Sequence, residues 1–198
     1  MKTTIKNSLV IIAMLGVITS YANLNPSEGK TNNIKATVLT LENVDEGQQL
    51  LIKSVNGTIL YKEEIKKEGY YQKEFDLTSL PNGNYFFELE KDMEIQIIPF
   101  NVSSTNVKFA KENEVKIFKP LVKSKNNKLY FSKLSLDQKP VMVEIYYNNA
   151  NSYESIFSEK IENTQVIERI YSLDKEKSGT YKVITKSDGR VYTQVFTI

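Results

Sequence analysis

The 198-residue chain contains no cysteine, no histidine and no tryptophan. Lacking histidine and cysteine, it cannot form a Ser-His-Asp or Cys-His nucleophile, a thiol redox centre, or an ordinary zinc or haem site. Lacking cysteine, it also has no disulfide staple and no residue to carry a lipid behind an export signal, so each module must stand on its own apolar core, or the two must share one. Glycine and proline number 8 and 5, and no glycine-rich phosphate loop is present. No window keeps apolar residues at helical spacing. No apolar run reaches the roughly 20 residues that cross a bilayer. The chemistry left is that of carboxylates. Glu88, Glu90, Asp92 and Glu94 alternate through one hairpin and read as an outward, solvated face. No stretch has the calcium-loop order of a glycine followed six residues on by glutamate. A glycosidase pair would need two carboxylates about 5–10 Å apart, and sequence alone selects none. No catalytic, cofactor or metal residue is assigned, and no cofactor is expected.

The chain opens with Lys2 and Lys6, an apolar run from Leu9 to Ile18, and Ser20-Tyr21-Ala22. A basic start, a short apolar core and small residues two apart describe a secretory signal peptide. Cleavage is expected after Ala22, with export through the Sec pathway to the periplasm, cell surface or medium and no stable membrane insertion. Residues 1–22 hold those two lysines and no acid, so residues 23–198 carry 24 basic and 24 acidic side chains. A chain of balanced charge has no broad pull on nucleic acid, and none is expected as a partner.

From Ile34 onward the sequence is a series of short runs of Val, Ile, Leu, Tyr, Phe and Thr, separated by turn residues. This pattern predicts an all-β protein. Strands are predicted near 34–42, 48–55, 58–65, 70–77, 84–91 and 94–102, and again near 128–136, 140–148, 154–162, 165–173, 180–187 and 190–198. Asn56-Gly57 and Asp188-Gly189 suit two-residue type I′ hairpins. Parity sets Tyr71, Phe75, Leu77, Tyr85, Phe87 and Leu89 inward, with Glu88 and Glu90 outward. Lys73 falls on an apolar face, near its rim. Parity changes around Pro99, which predicts a bulge or bend there. The lysine-rich stretch from Ser103 to Lys128 reads as a solvated linker.

The two series are related. Residues 60–102 align with 156–198 without a gap, at a constant offset of 96. Leu77, Gly83, Tyr85, Phe87 and Phe100 correspond to Leu173, Gly179, Tyr181, Val183 and Phe196, and Lys73 corresponds to Arg169. Retention of the turn glycine, the tyrosine two residues later and the misplaced cation points to duplication. The expected organisation is signal peptide 1–22, flexible lead 23–33, first module 34–110 and second module 111–198.

The first copy carries Asn56-Gly57, then Leu80-Pro81-Asn82-Gly83-Asn84-Tyr85, then a strand to Val102. It resembles the C-terminal sorting domains of bacterial type IX secretion cargo. The second copy keeps Gly179, Tyr181, Asp188-Gly189 and the strand Val191 to Ile198, with Glu176-Lys177 where the first has Leu-Pro. The resemblance implies small β-sandwiches, here two tandem immunoglobulin-like (Greek-key) antiparallel modules.

Pro81, Gly83 and Tyr85, with Gly179 and Tyr181, are expected to form structural turns, with Gly83 at positive φ. The modules diverge most at Tyr146 to Ser155, where an extended loop replaces Asn56-Gly57. Its Tyr147, Asn148, Asn149, Asn151 and Tyr153 combine rigid contact area with donors and acceptors. They are the candidate surface for a protein or glycan partner. The expected function is that of an exported, non-enzymatic structural or adhesion-like binding element. A type IX cargo or sorting module is the alternative, and a carboxylate hydrolase a remoter one.

Overall fold

The computed structural model describes residues 36–104, 106–149, 152–174 and 176–198. The expected signal peptide (1–22), the lead (23–33) and Asn151 lie outside the described residues. Within them the protein is all-β: fifteen strands in antiparallel sheets, with two single-turn 3-10 helices and no α-helix.

The first six strands are β1 (Thr37–Val44), β2 (Gln49–Ser54), β3 (Ile59–Glu64), β4 (Gly69–Phe75), β5 (Gly83–Glu90) and β6 (Glu94–Ser103). Each lies within three residues of its predicted span. Among the described residues β1 pairs only with β4, while β3, β2, β5 and β6 form a larger sheet in that order. Leu39 and Leu41 on β1 meet Leu50, Ile52, Phe87, Leu89 and Phe100 between the two sheets. Period-2 alternation puts these side chains on one face of each strand. Tyr85, Phe87 and Leu89 are buried in that core, and Tyr71 packs at its margin.

The expected linker is instead three strands: β7 (Asn106–Phe109), β8 (Val115–Phe118) and β9 (Leu121–Lys125). β7 and β8 pair with opposite ends of β6, as one edge strand interrupted by a 3-10 turn at Lys111–Asn113. Pairing on the first sheet therefore continues to Phe118, past the boundary expected after residue 110.

Pro99 makes no bulge. The β5–β6 register runs unbroken from Gly83↔Val102 to Glu90↔Ile95. The carbonyl of Pro99 accepts from Ala110 N at 3.0 Å, which turns its ring nitrogen toward the gap between β7 and β8. A missing N–H costs least where no ladder partner exists. The parity change reflects two apolar faces: Ile98, Phe100 and Val102 enter the core, whereas Ile95 is buried on the outside of the sheet, opposite Ile117.

β10 (Lys128–Leu134), β11 (Val141–Asn149), β12 (Ser152–Ile161), β13 (Val166–Ser172), β14 (Thr180–Ser187) and β15 (Arg190–Thr197) build the second module. Its sheets have orders β13-β10-β9 and β12-β11-β14-β15, and their core holds Leu129, Phe131, Val143, Ile145, Ile167 and Tyr181. Asp188 and Gly189 both have positive φ, 54° and 69°, as a type I′ turn requires. Asn126-Asn127, at 51° and 56°, joins β9 to β10 in the same way. The Asn56-Gly57 hairpin differs from its expected type. Only Gly57 has positive φ (86°), and Ser54 N bonds Thr58 O at 3.0 Å. The connection is a longer turn closed by a glycine bulge.

Candidate functional site

Two tyrosines fix equivalent corners. Tyr85 OH donates to the Pro81 carbonyl at 2.8 Å, and Tyr181 OH donates to the Lys177 carbonyl at 2.7 Å. Each ring is buried while its hydroxyl ties down the crossover before the strand, the geometry of a tyrosine corner. Gly83 does not adopt positive φ. It opens β5 in extended backbone, and a Cβ there would sit 3.6 Å from the Tyr85 ring. The corner rests on the tyrosine hydroxyl rather than on a left-handed glycine. Gly179 differs: its φ is +153°, and a Cβ would meet the Tyr147 ring at 3.2 Å.

That contact decides the role of Tyr147. Its ring packs 5.1 Å from that of Tyr181, and its hydroxyl donates to the Ser178 carbonyl at 3.2 Å. Tyr147 therefore belongs to the margin of the second core. The expected extended loop is mostly strand, since β11 and β12 stay paired out to Asn149↔Ser152. A register shift beyond Ile145↔Phe157 brings Asn148 opposite Tyr153 and Tyr146 opposite Ser155. Tyr146, Asn148 and Tyr153 thus share the outer face of the sheet, together with Lys182 of β14, which lies opposite Tyr146.

The sequence reading missed Lys182. Its ammonium stands 3.8 Å from the centroid of Tyr153 and 5.1 Å from that of Tyr146. Parity around the inward Tyr181 and Val183 was the signal that would have placed it there. Glu144 accepts from Tyr146 OH at 3.1 Å and from Lys186 Nζ at 2.9 Å. The Lys186 hydrogen bond holds the Glu144 carboxyl below its ordinary range, and the Glu144 contact raises the Tyr146 phenol. The result is a half-exposed aromatic, amide and ammonium surface. It suits stacking and polar contact.

A second cluster joins the modules. Glu88, expected to face solvent, is fully buried. It points away from its own core, but the β14–β15 hairpin of the second module covers it. Arg190 Nη1 donates to Oε1 at 3.2 Å and Nη2 donates to Oε2, while Lys53 Nζ reaches Oε1 at 2.6 Å. Burial alone would raise the Glu88 carboxyl. Hydrogen bonds from Arg190 and Lys53 outweigh it and hold the group below its ordinary value. Nearby, buried Lys133 donates to the Phe118 carbonyl at 2.9 Å and to Asp188 Oδ2 at 3.0 Å. Phe118 ends the strand paired to β6, so Lys133 also bridges the two sheet systems.

At the open side of each sandwich a glutamate meets a cation and a tyrosine. Glu63 on β3 accepts from Tyr61, Tyr71 and Lys73. Glu159 on β12 accepts from Arg169 Nε and Tyr171 OH, both at 2.9 Å. Burial opposes ionisation of Glu63, but its donors, Lys73 foremost, keep it below the usual carboxylate range. Burial and the neighbouring glutamate push the phenols of Tyr71 and Tyr171 up. These carboxylates are committed to structure. Among the described residues no group of three or more Asp or Glu could hold a metal ion, and no helix is long and apolar enough to cross a membrane.

Residues 25–103 match the family described as the secretion system C-terminal sorting domain. The match covers β1 to β6 and the Leu80 to Tyr85 turn, stops short of β7 and β8, and does not extend over the second module. That family is non-catalytic, and a sorting domain implies an exported protein. No curated protein matches the sequence. Among solved structures, the BSP domain of a biofilm-associated protein is similar over 83% of this chain and 27% of that one, with 13% identity and a TM-score of 0.28. The chain spans about a quarter of that structure's length, and a likeness at that score fixes neither fold nor function.

Proposed function

We propose that the chain is an exported, non-enzymatic protein whose two immunoglobulin-like β-sandwich modules arose by duplication. It acts as a structural or binding element at the cell surface or in the periplasm. The observation that carries this reading is the sorting-domain match at residues 25–103, joined to a sequence without histidine or cysteine. The strand orders support the immunoglobulin-like class: β9-β10-β13 faces β12-β11-β14-β15, and the chain crosses between sheets after β10, β12 and β13. The outer surface of Tyr146, Asn148, Tyr153 and Lys182 is the contact site for a glycan or protein partner. Tyr147 supports it from beneath.

The family match also favours a second reading, in which the chain is itself cargo of the type IX pathway, exported first by the Sec route. Fractionation of the tagged full chain, in hosts with and without that pathway, separates the two. Appearance at the surface only when the pathway is present makes the chain cargo. Export to the periplasm in both hosts supports the structural or binding reading, and retention in the cytoplasm defeats both. For the contact site, Tyr153→Ala combined with Lys182→Ala should abolish retention on a polysaccharide affinity panel and leave the thermal melt unchanged. Unaltered retention would remove this surface from the account.

A further inference from the structure

β15 forms one edge of the four-stranded sheet in the second module, and among the described residues no strand pairs with its outer side. Its counterpart at the 96-residue offset, β6, is covered along that side by β7 and β8. From Val191 to Ile198 the edge carries no charged side chain, no proline and no glycine. Its ladder to β14 runs from Thr180↔Thr197 to Ser187↔Arg190 without a shift. Proteins that remain single guard long edges with lysine, proline, a bulge or short length. This edge has none of these, and Val191 and Val195 are exposed on its outer face.

The backbone shows which groups are free. Ile198 exchanges both hydrogen bonds with Gly179, at 2.8 and 2.9 Å. Antiparallel pairs alternate between bonded and non-bonded. The even-numbered residues of β15 therefore bond to β14, and Val191, Thr193, Val195 and Thr197 turn N–H and C=O to the open side.

We infer that this edge docks on β15 of a second copy of the chain, antiparallel and centred on Gln194. That register sets Val191 opposite Thr197 and Thr193 opposite Val195, so every outward N–H and C=O of both strands finds a partner. On the opposite face it sets Tyr192 against Phe196. Aromatic and β-branched cross-strand pairs of this kind favour pairing, and no like charges meet. A two-fold interface needs a patch complementary to itself. The segment Val191–Ile198 meets that condition through its symmetric pattern and its lack of charged side chains. The product is one continuous sheet of eight strands across two chains.

The cysteine-free sequence makes the register directly testable. Residue 194 faces itself as a non-hydrogen-bonded pair, with Cα atoms about 4.5 Å apart, within the roughly 4.4–6.8 Å that a disulfide spans. Gln194→Cys should cross-link into a covalent dimer under mild oxidation. Val191→Cys, whose partner is Thr197, should cross-link far more slowly. Sedimentation of the purified wild-type protein should show its mass doubling as concentration rises. Val195→Lys and Thr193→Pro should remain monomeric with unchanged circular dichroism and melt. Should Thr193→Pro fail to fold, Val195→Lys and the two cysteine variants still decide. A wild-type protein monomeric at high micromolar concentration overturns the inference, even if it binds a foreign β-strand peptide. A dimer that survives Val195→Lys, or equal cross-linking by both cysteine variants, also overturns it.

Discussion

Removing the buried carboxylate should hurt the protein more than removing either of its cations. Glu88 is fully buried and receives three hydrogen bonds, two from Arg190 and one from Lys53. Two positive charges thus surround one negative. Arg190→Ala leaves a balanced Glu88–Lys53 pair and loses charge-assisted hydrogen bonds, at a cost of about 1.5–3 kcal/mol. Glu88→Ala leaves two cations facing each other beside a cavity, and should cost about 3–5 kcal/mol. That is a large share of the roughly 5–15 kcal/mol that holds a domain folded. The triple variant Lys53→Met/Glu88→Leu/Arg190→Met should recover most of the loss, because a well-packed apolar group often replaces a buried ion cluster without penalty. The assay is urea denaturation followed by far-UV circular dichroism and tyrosine emission, in a chain without tryptophan. Two outcomes refute the reasoning. One is Glu88→Ala costing less than Arg190→Ala. The other is a Glu88→Ala/Arg190→Ala double variant whose loss equals the two single losses added together, since contacting groups that depend on each other must show coupling.

The corners give a second expectation. Tyr85→Phe and Tyr181→Phe each lose one hydroxyl bond to a carbonyl and should cost about 0.5–1.5 kcal/mol, while Tyr85→Ala should cost about 3–5 kcal/mol; thermal melts of the three variants check the order. The third concerns pH. Glu88 and Glu63 are held below their unfolded values, so their contribution is present above the unfolded glutamate pKa of about 4.3 and is lost as pH falls through the lower folded values. Melting temperature should therefore drop on acidification below about pH 4.3, and Glu88→Gln should flatten that drop; equal slopes for both proteins would show that Glu88 does not contribute to it.

Inward rows were readable in the sequence because alternation carries through a whole strand. Tyr85, Phe87 and Leu89 lie where parity put them. Glu88 was misread for a physical reason. Parity tells which face a side chain takes, but not what covers that face, and here the cover comes from Arg190, 102 residues further along. The strands between Asn106 and Lys125 were hidden by their lysines. β7 and β8 are four residues each, too short for alternation to stand out from Lys108, Lys111 and Lys116. The partner surface was half legible. Composition drew attention to the hairpin, but the register shift past Ile145 decides that Tyr153 shares a face with Tyr146 while Tyr147 turns to the core. This bulge, with no glycine or proline beside it, leaves no mark in the order of residues. Gly83 was assigned positive φ by analogy with turn glycines, whereas the bond from Tyr85 to Pro81 holds that corner without it.

The strongest support for the proposed duplication lies in a difference between the copies. At the open side of the first sandwich, Tyr61 stacks edge-on against Phe75 with ring centroids 5.4 Å apart, and the Tyr61 hydroxyl reaches Glu63. In the second, the residues at the same offset are Phe157 and Tyr171, 5.0 Å apart, and the Tyr171 hydroxyl reaches Glu159. The hydroxyl has moved from one ring of the pair to the other, while the glutamate, the cation (Lys73 or Arg169) and the ring contact persist. Independent strands converging on an apolar pattern have no reason to keep a hydroxyl within reach of a half-buried glutamate. Once that carboxylate is in place, each phenol it loses leaves an acceptor less well bonded; the second copy has Ile167 where the first has Tyr71, and Phe157 where it has Tyr61, yet Tyr171 keeps a phenol on Glu159. The exchange is what a copied cluster leaves after compensated drift. It also explains why the rim cation, out of place by parity in both copies, remained.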